Sequence, residues 1–264
     1  MKKYALIGEK LSHSHSPLLH NEIFKDLNVD ATYEKLEIKI EELKDTIDLL
    51  KKGIYSGFNV TIPYKKEVIK YLDELSDEAK IIGAVNTIAY KDGKLIGYNT
   101  DYYGFKEEVI FNNIDVKNKE CYILGTGGAS LALNQALIDL GAKTYFVSRN
   151  KNGNNIISYD ELKNKKPYLL VNSTPVGMYP NVLDCPVDKE VISDSKYVID
   201  IIFNPKTTKL LEYANSNMNG LFMLVGQAIK AEEIWQDKKY DKDIITLLKR
   251  IEMMIWTTLE DFFK

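Results

Sequence analysis

A glycine-rich loop is the clearest chemical signal in the sequence. Residues 125–130 read Gly-Thr-Gly-Gly-Ala-Ser and stand between a strand-like segment, 120–125, and a helical segment that ends near Leu140. Glycines at such a point allow a tight turn and the close approach of a pyrophosphate, whose charge the free amides of a helix N-terminus stabilise. A tight turn without a ligand is the alternative. The residues predicted to bind a dinucleotide are Gly125, Thr126, Gly127, Gly128 and Ala129.

The end of the next strand-like segment, 143–149, indicates which dinucleotide is bound. An NAD-binding chain usually carries an acidic residue about 20 residues beyond the loop, where it binds the ribose hydroxyls. Here the sequence reads Ser148, Arg149, Asn150, with no carboxylate. A hydroxyl and a guanidinium suit a 2′-phosphate, and Arg149 is one of only two arginines among 35 basic residues. We therefore predict NADP at these three residues, with an ordinary surface cation at Arg149 as the alternative.

Two serines near the start of the chain, Ser14 and Ser16, stand where a loop enters a predicted helix. Their hydroxyls and the amides of the helix N-terminus together make a suitable cradle for a carboxylate. Ser16 followed by Pro17 is also a normal helix start, with the serine as N-cap. Capping explains Ser16 but not Ser14, so we keep carboxylate binding as the prediction for both.

Metal binding has few candidate ligands in this chain. All three histidines, His13, His15 and His20, lie in the serine segment, and only the more distant Glu9 joins them as a carboxylate. The chain has two cysteines, which excludes a disulfide scaffold and a four-cysteine zinc site. We predict no metal.

Two adjacent lysines, Lys65 and Lys66, begin a predicted helix over 66–75. The N-terminus of a helix disfavours cations, and a local rule broken without compensation points to a functional site. Two solvated lysines in a lysine-rich chain are the alternative. Asp101 precedes another predicted helix, 102–113, where an N-cap is the simplest role for it.

The composition excludes several classes of protein. The chain has 264 residues, of which 45% are hydrophobic, with 35 basic and 38 acidic side chains and a net charge of −3. These values are typical of a folded globular protein and lack the basic excess of a nucleic-acid or membrane-surface binder. No apolar run approaches the ~20 residues that span a bilayer, and the apolar stretch 4–7 is too short for a signal peptide. We expect a cytoplasmic protein that binds neither nucleic acid nor membrane.

Strand-like and helical segments alternate along the whole chain, which predicts an α/β fold with mainly parallel sheets. The strand-like segments are 4–8, 32–38, 57–64, a hairpin at Asp92-Gly93 within 84–100, 120–125, 143–149, 168–174 and 196–202. The helical segments are 16–27, 40–53, 66–75, 102–113, about 128–140, 221–235 and 243–263. Two such series, divided near residue 101, predict two α/β lobes with a cleft between them, where small ligands usually bind.

Seven segments of the chain carry a family resemblance. They read GEKLSHSHSPLLHN, NVTIPYKK, GAVNTI, GYNTDYYGF, GTGGAS, NSTPVGM and GLFMLVGQA, and they span nearly the whole chain. Their order and spacing resemble those of shikimate dehydrogenases. The resemblance implies an N-terminal substrate-binding and catalytic domain, 1–101, to which a C-terminal helix, 236–264, returns. It also implies a Rossmann-type NADP-binding domain, 102–235, and reversible NADPH-dependent reduction of 3-dehydroshikimate to shikimate, a step of aromatic amino acid biosynthesis.

The same resemblance implies roles for individual side chains. Ser14 and Ser16 correspond to residues that bind the substrate carboxylate. Those expected to contact the ring hydroxyls and the lysine are Thr61, Asn86, Asp101 and Gln227. Lys65 corresponds to the catalytic residue, and an ammonium beside a ketone stabilises the developing alkoxide and supplies its proton. Asp101 is expected to orient the neighbouring hydroxyl and to hold Lys65 in place.

Two departures from the family pattern qualify these expectations. Phe203 stands where the family usually has tyrosine, so a hydroxyl contact is lost there. The polar segment 151–166 replaces an expected helix, which predicts a looser adenosine side. Two alternatives stay open: an NAD-dependent quinate/shikimate dehydrogenase, and a non-catalytic dinucleotide-binding module. Both a monomer and a homodimer are compatible with the sequence.

Overall fold

The computed structural model describes residues 1–12, 14–150, 153 and 155–262, with side chains to residue 256. The fold is α/β and contains two six-stranded sheets. The chain divides into two compact units, of which the first is Met1–Thr100 with Val225–Lys264 and the second is Asp101–Leu224. In the part of the chain that is described, no helix is both long and apolar enough to cross a membrane.

The first unit is built on a mixed sheet. Its strands are β1 (Lys2–Gly8), β2 (Ala31–Glu37), β3 (Gly57–Val60), β4 (Glu74–Leu75), β5 (Thr87–Lys91) and β6 (Lys94–Tyr98), in the spatial order β2-β1-β3-β5-β6-β4. Its first helices are α1 (Ser16–Leu27), α2 (Leu43–Lys51) and α3 (Asp77–Ile82). β1 pairs in parallel with β2 and β3, whereas β5 is antiparallel to β3 and β6. The predicted hairpin turn is confirmed, because Asp92 and Gly93 both have positive φ, 50° and 78°.

The second unit has a parallel sheet. Its strands are β7 (Glu120–Leu124), β8 (Lys143–Val147), β9 (Ile156–Ile157), β10 (Leu169–Asn172), β11 (Tyr197–Asp200) and β12 (Asn217–Asn219). The helices that accompany this sheet are α4 (Thr100–Phe111), α5 (Gly128–Asp139), α6 (Tyr159–Leu162), α7 (Lys189–Asp194) and α8 (Lys209–Glu212). The spatial order is β12-β11-β10-β7-β8-β9, and every described pair of neighbours is parallel.

This strand order is that of a Rossmann fold. Counted along the chain from β7, the strands run third, second, first, fourth, fifth, sixth across the sheet. The order reverses between β7 and β10, and ligands of such sheets bind outside the carboxyl ends of the strands at that point. The α/β fold class and the Rossmann-type lobe predicted from the sequence are therefore confirmed.

Two long helices, α9 (Leu221–Gln236) and α10 (Ile244–Phe262), complete the chain. α10 packs on α1, where the Arg250 guanidinium forms ion pairs with two carboxylates, with 2.8 Å between Nε and Glu22 Oε2 and 2.9 Å between Nη2 and Asp26 Oδ1. A planar fork that serves two carboxylates at once is a use of arginine that lysine cannot match. The predicted domain boundary at residues 235–236 falls at the end of α9, whereas the compact units divide at residues 224–225, inside that helix.

Three local predictions about helices were wrong. His15, not Ser16, is the N-cap of α1, and Ser16 is its first helical residue. The helix predicted over 66–75 is a short 3-10 turn, Glu67–Tyr71, followed by β4. Asp101 lies inside the first turn of α4 and is not its N-cap, because that helix already begins at Thr100.

The failed helix has a tertiary cause. Asp73 donates its backbone N–H to Leu95 O over 2.9 Å, and the Asp73 carboxylate accepts from Leu95 N over 2.7 Å. These bonds hold the segment against β6, and Leu72 is extended with ψ 146°. Because only a 3-10 turn follows Lys65 and Lys66, the helix dipole expected to disfavour these two cations does not form there.

The polar segment after Asn150 contains a helix. β9 extends the sheet, with Ser148 N donating to Ile157 O over 3.0 Å. α6 then forms one turn, whose N-cap Ser158 and Glu161 make a reciprocal capping box. α6 follows β9 and so does not stand directly after residues 148–150, where the family has its helix; the described residues 153 and 155 are not helical, and the loss of that helix stays a prediction.

Candidate substrate and cofactor sites

The serine pair of the first unit is held by hydrogen bonds of its own. Ser14 Oγ donates to Ser16 Oγ over 3.1 Å and accepts from the backbone N–H of Ser16 over 3.2 Å. Lys35 Nζ donates to Ser14 O over 3.4 Å, which anchors the same loop from β2. Both serines are half-buried and lie at the positive end of the α1 dipole. This arrangement suits a carboxylate.

A second cluster of polar side chains joins β3, β5 and the start of α4. Asn86 Oδ1 accepts from Thr100 N over 2.7 Å and from the hydroxyls of Thr87 and Thr100, each over 3.1 Å. Asn59 Nδ2 donates to Thr87 Oγ1 over 2.9 Å. All four residues are at most 5% exposed. Because these bonds from its neighbours end on Oδ1, the orientation of the Asn86 amide is set and its Nδ2 donor is directed away from them.

Gln227 meets this cluster at Thr100, whose hydroxyl oxygen lies 3.5 Å from Gln227 Oε1. The structure therefore brings together Asn86 and Gln227, two of the predicted substrate residues, through a residue that sequence reasoning missed. Thr87 and Asn59 were also missed. The available signal was a polar residue in a strand with all four positions buried, as Asn59 is in β3.

The predicted catalytic lysine lies in a turn that follows β3. Thr61 donates its N–H to Ile7 O over 3.0 Å, and Val85 N donates to Lys65 O over 2.8 Å, next to Asn86. Tyr64 is buried, and its hydroxyl donates to Ile38 O over 2.6 Å. Lys65 is half-buried while Lys66 is exposed. The two neighbouring lysines thus have different surroundings, as the choice of Lys65 requires.

The glycine loop of the second unit leaves room for a ligand. Gly125 has φ +98°, and a Cβ there would lie 3.0 Å from Thr174 Cγ2. A Cβ on Gly127 or Gly128 would meet nothing within 4 Å. Gly127 is the N-cap of α5 and brings no side-chain cap, which leaves the first amides of that helix to a ligand such as a pyrophosphate.

A cavity of about 570 Å³ opens at the carboxyl ends of β7, β8 and β10, where the strand order reverses. Its lining combines Gly125, Thr126, Gly127 and Arg149 with residues 173–176 and the side chains of Tyr159, Cys185 and Pro186. Four predicted cofactor residues lie outside this lining, and these are Gly128, Ala129, Ser148 and Asn150. Ser148 Oγ accepts from Asn150 N over 3.3 Å, which shapes the turn that carries Arg149.

A buried carboxyl supports one wall of this cavity. Asp200 accepts hydrogen bonds from Thr208 Oγ1 over 2.6 Å, from Asn172 Nδ2 over 3.0 Å and from Ile202 N over 3.1 Å. Asn172 Oδ1 in turn accepts from Thr174 N and Oγ1, over 3.0 and 2.7 Å. Burial raises the pKa of Asp200 to about 6, and its hydrogen bonds oppose that rise. Sequence reasoning missed this network, whose signal was a polar residue at the ends of two apolar strands.

Metal ligands do not gather in the described part of the chain, where no group of three or more His, Cys, Asp and Glu side chains could hold an ion. His20 is buried against Glu232, with 2.6 Å between Nδ1 and Oε1. His13, one of the three histidines considered above, lies outside the described residues, as does Lys151 of the polar segment.

The second unit has a Rossmann sheet, a glycine loop and a cavity, which together define a dinucleotide-binding protein. The first unit adds a mixed sheet with a cluster of polar side chains. The family model described as shikimate dehydrogenase substrate binding domain matches residues 6–88. The shikimate dehydrogenase (NADP(+)) of Clostridium beijerinckii is 48% identical, with 92% of this chain and 95% of that protein covered. The chain belongs to the shikimate dehydrogenase family.

Solved structures agree with this membership. The chorismate mutase/shikimate 5-dehydrogenase fusion protein from Clostridium acetobutylicum is 40% identical, with a TM-score of 0.92 over 98% of this chain and 99% of that chain. The shikimate 5-dehydrogenase from Thermus thermophilus, solved with NADP(H) and shikimate, is 27% identical, with a TM-score of 0.86 over 96% and 99%.

Proposed function

We propose that the chain is an NADP-dependent shikimate dehydrogenase, which reversibly reduces 3-dehydroshikimate to shikimate. One observation carries the proposal: in a chain of this family, the cavity at the switch point of the Rossmann sheet is lined by the glycine loop and Arg149. The relative from Clostridium beijerinckii is named for NADP and shikimate, and the structure from Thermus thermophilus was solved with both.

The residues of the second unit fit this cofactor. The open space over Gly127 and the amides of α5 suit the pyrophosphate, and the Arg149 guanidinium suits a 2′-phosphate. The nicotinamide, when bound, supplies the hydride. The chain itself has to bind the substrate, orient it and move one proton.

Lys65 is the group that moves the proton. Its ammonium donates to the substrate oxygen as the ketone is reduced, and it recovers the proton in the reverse direction. Its positive charge also stabilises the negative charge that develops on that oxygen. Asp101 accepts a hydrogen bond from the neighbouring hydroxyl and keeps the ring in one orientation. Support for Lys65 over Lys66 comes from the exposure of Lys66 beside its half-buried neighbour.

The polar side chains of the first unit bind the rest of the substrate. Ser14 and Ser16 hold the carboxylate at the N-terminus of α1. Asn86 and Gln227 contact ring hydroxyls, and the hydrogen bonds to Asn86 Oδ1 support a donor role for Nδ2. Thr61, in the turn before Lys65, completes this set. Substrate and cofactor are both small soluble molecules, so we also propose that the enzyme works in the cytoplasm, as a monomer or a homodimer.

The test compares initial rates of oxidation of shikimate and of quinate, each with NADP and with NAD. The rates are measured by the absorbance of the reduced cofactor. We expect the highest rate with shikimate and NADP. Faster oxidation of quinate with NAD would favour a quinate/shikimate dehydrogenase instead. No turnover with any of the four pairs would reject the proposal and favour a non-catalytic dinucleotide-binding protein.

A further inference from the structure

Asn172, the last residue of β10, holds the chain that follows it. The side chain is buried, and every hydrogen-bonding site of its amide is used. Oδ1 accepts from the backbone N–H of Thr174 over 3.0 Å and from the Thr174 hydroxyl over 2.7 Å. Nδ2 donates to Val176 O over 3.3 Å and to Asp200 Oδ1 over 3.0 Å. An asparagine amide has two acceptor sites and two donor sites, so all four are filled.

The chain after β10 is closed on itself through the same residues. Thr174 Oγ1, which donates to Asn172, accepts in turn from Val176 N over 3.3 Å. Ser173 is tied to β7, because its N–H and its hydroxyl both donate to Leu124 O, over 3.1 and 2.6 Å. Since Asn172 bonds to the residues two and four positions after it, one amide determines the path of this loop.

Asp200, at the end of the neighbouring strand β11, sets the orientation of that amide. Its Oδ1 also accepts from Ile202 N over 3.1 Å, and its Oδ2 accepts from Thr208 Oγ1 over 2.6 Å. With an acceptor at this position, the amide presents Nδ2 to Asp200, which leaves Oδ1 for Thr174. A flipped amide would place two acceptors against each other and would lose both hydrogen bonds from Thr174.

Residues 173–176 form one wall of the cavity at the switch point of the second sheet. β10, which leads into this wall, and β8, which leads to Arg149, lie on opposite sides of β7. Neighbouring strands are about 4.8 Å apart, so two strand spacings separate the start of the wall from the strand that carries the guanidinium. We therefore expect the wall to contact a part of the dinucleotide other than its 2′-phosphate.

We propose that Asn172 is a positioning residue for the cofactor, whose amide, oriented by Asp200, fixes residues 173–176 as a wall of the cavity before the dinucleotide binds. This inference rests on the proposed function in one respect, because it assumes that the cavity binds NADP. Asn172 itself is buried and lies outside the described lining of the cavity. Its loss should therefore weaken cofactor binding without removing a group that touches the cofactor.

The first experiment removes the amide and measures binding directly. In Asn172→Ala we expect the dissociation constants for NADP and for NAD to rise by the same factor, about three- to tenfold, the size of one lost hydrogen bond. An equal rise distinguishes this role from that of Arg149, whose loss should affect NADP alone. Titration calorimetry measures both constants. Unchanged constants, or a rise for NADP alone, overturn the inference.

Asn112→Ala is the matched control. Asn112 is a half-buried asparagine of the same unit, and its Nδ2 donates to a backbone carbonyl, Glu108 O, over 2.8 Å, outside the described lining of the cavity. Its loss should lower the melting temperature and leave both dissociation constants unchanged. If Asn112→Ala weakens cofactor binding as much as Asn172→Ala does, the effect is one of general stability and the inference is overturned.

A double-mutant cycle shows whether Asn172 acts through the loop. Thr174→Val removes the hydroxyl that donates to Asn172 Oδ1 and keeps the shape of the side chain. If Asn172 acts by holding Thr174, the dissociation constant of the double variant for NADP should lie clearly below the value obtained by multiplying the two single effects. Multiplied effects overturn the inference.

A measurement on the parent protein replaces the variants if Asn172→Ala does not fold. Without cofactor, the Thr174 N–H should exchange with solvent at least about tenfold more slowly than in an unstructured chain, because Asn172 Oδ1 accepts its hydrogen bond. Exchange at the unstructured rate overturns the inference. A parent that does not bind NADP rejects the proposed function as well, whereas a parent that binds NADP no better than Asn172→Ala does rejects this inference alone.

Discussion

In the first unit the site is made of side chains that hold one another, whereas in the second it is made of backbone and open space. Asn86, Thr87 and Thr100 are buried and exchange hydrogen bonds of 2.7 to 3.1 Å. Gly127 and Gly128 are exposed, and added side chains there would meet nothing. A small ring with several hydroxyls is recognised by donors and acceptors with fixed directions, while a pyrophosphate needs amides and room for close approach.

In each unit a buried carboxyl holds a second side chain, and that side chain contacts a residue at or near the candidate ligand site. Glu232 holds His20, which stacks on Tyr33, and Asp200 holds Asn172, which in turn holds Thr174. A buried carboxyl is costly unless it is hydrogen-bonded, and neither of these is proposed to touch a ligand. The two sites therefore differ in the groups that they offer to a ligand, but in both of them a buried, hydrogen-bonded carboxyl holds the supporting side chains in place.

The largest effect is expected at Lys65, where chemistry and not binding is at stake. Lys65→Ala should lower kcat by about 10²- to 10⁴-fold, the usual contribution of a general acid, with the KM for NADP unchanged. Lys66→Ala, an exposed neighbour, should stay within a few-fold of the parent. Steady-state rates with shikimate and NADP measure both. A loss of less than about tenfold, or ~1.4 kcal/mol, would remove Lys65 from the mechanism.

The next largest effect is expected at Arg149, whose positive charge is proposed to bind the 2′-phosphate of NADP. Arg149→Ala should raise the KM for NADP by about 10- to 100-fold, as expected for lost charge-assisted hydrogen bonds to a phosphate, and leave the KM for NAD unchanged. Lys166→Ala removes another exposed cation of the same unit and should change neither. Equal losses with NADP and NAD would show that Arg149 does not read the 2′-phosphate.

Two glycines of one loop should separate stability from binding. Gly125→Ala should destabilise the fold by about 1–3 kcal/mol, because φ +98° is strained for alanine and the added Cβ would lie 3.0 Å from Thr174 Cγ2. Gly127→Ala has room and a negative φ, −77°, so its stability should match the parent while its affinity for NADP falls. Chemical denaturation and cofactor titration measure the two quantities. A Gly127→Ala protein that binds NADP normally would contradict the proposed path of the pyrophosphate.

The smallest effect is a pH dependence at Asp200. Burial raises the pKa of this carboxyl from 3.8 to about 6, so the folded state binds the proton more tightly than the unfolded state. Its contribution to stability is therefore greatest below the unfolded value and is lost as the pH rises towards about 6. Between about pH 5 and about pH 7 the loss amounts to ~1 kcal/mol.

Asp200→Asn should remove that part of the pH dependence, because asparagine does not titrate, and urea unfolding at the two pH values measures it. Asp194→Asn, at an exposed position, serves as the control and should keep the slope of the parent. If the free energy of unfolding of Asp200→Asn depends on pH as strongly as that of the parent, the Asp200 carboxyl does not titrate between these two pH values. Its burial would then not contribute to the pH dependence of stability.

The class of fold and the position of the cofactor loop could be predicted from the amino-acid sequence alone. Strands buried on both faces appear as apolar runs, and a tight turn into a helix requires glycine, so local composition was enough for β7, β8, β10 and α5. The hairpin at Asp92-Gly93 was equally local, since its turn needs two positive φ angles. Seven motifs in family order indicated the activity without any geometry.

Which polar residues hydrogen-bond to one another depends on the tertiary fold. Tyr33 and Asn59 are 26 residues apart, and Asn172 and Asp200 are 28 apart, so no periodicity joins them. The helix predicted over 66–75 failed for the same reason, because Asp73 bonds to Leu95 across the sheet. Helical spacing shows which face of a segment is apolar, but it does not show which partner a buried polar group will have. A buried polar group without a hydrogen bond costs free energy, so the partner that the fold brings near it determines the local structure.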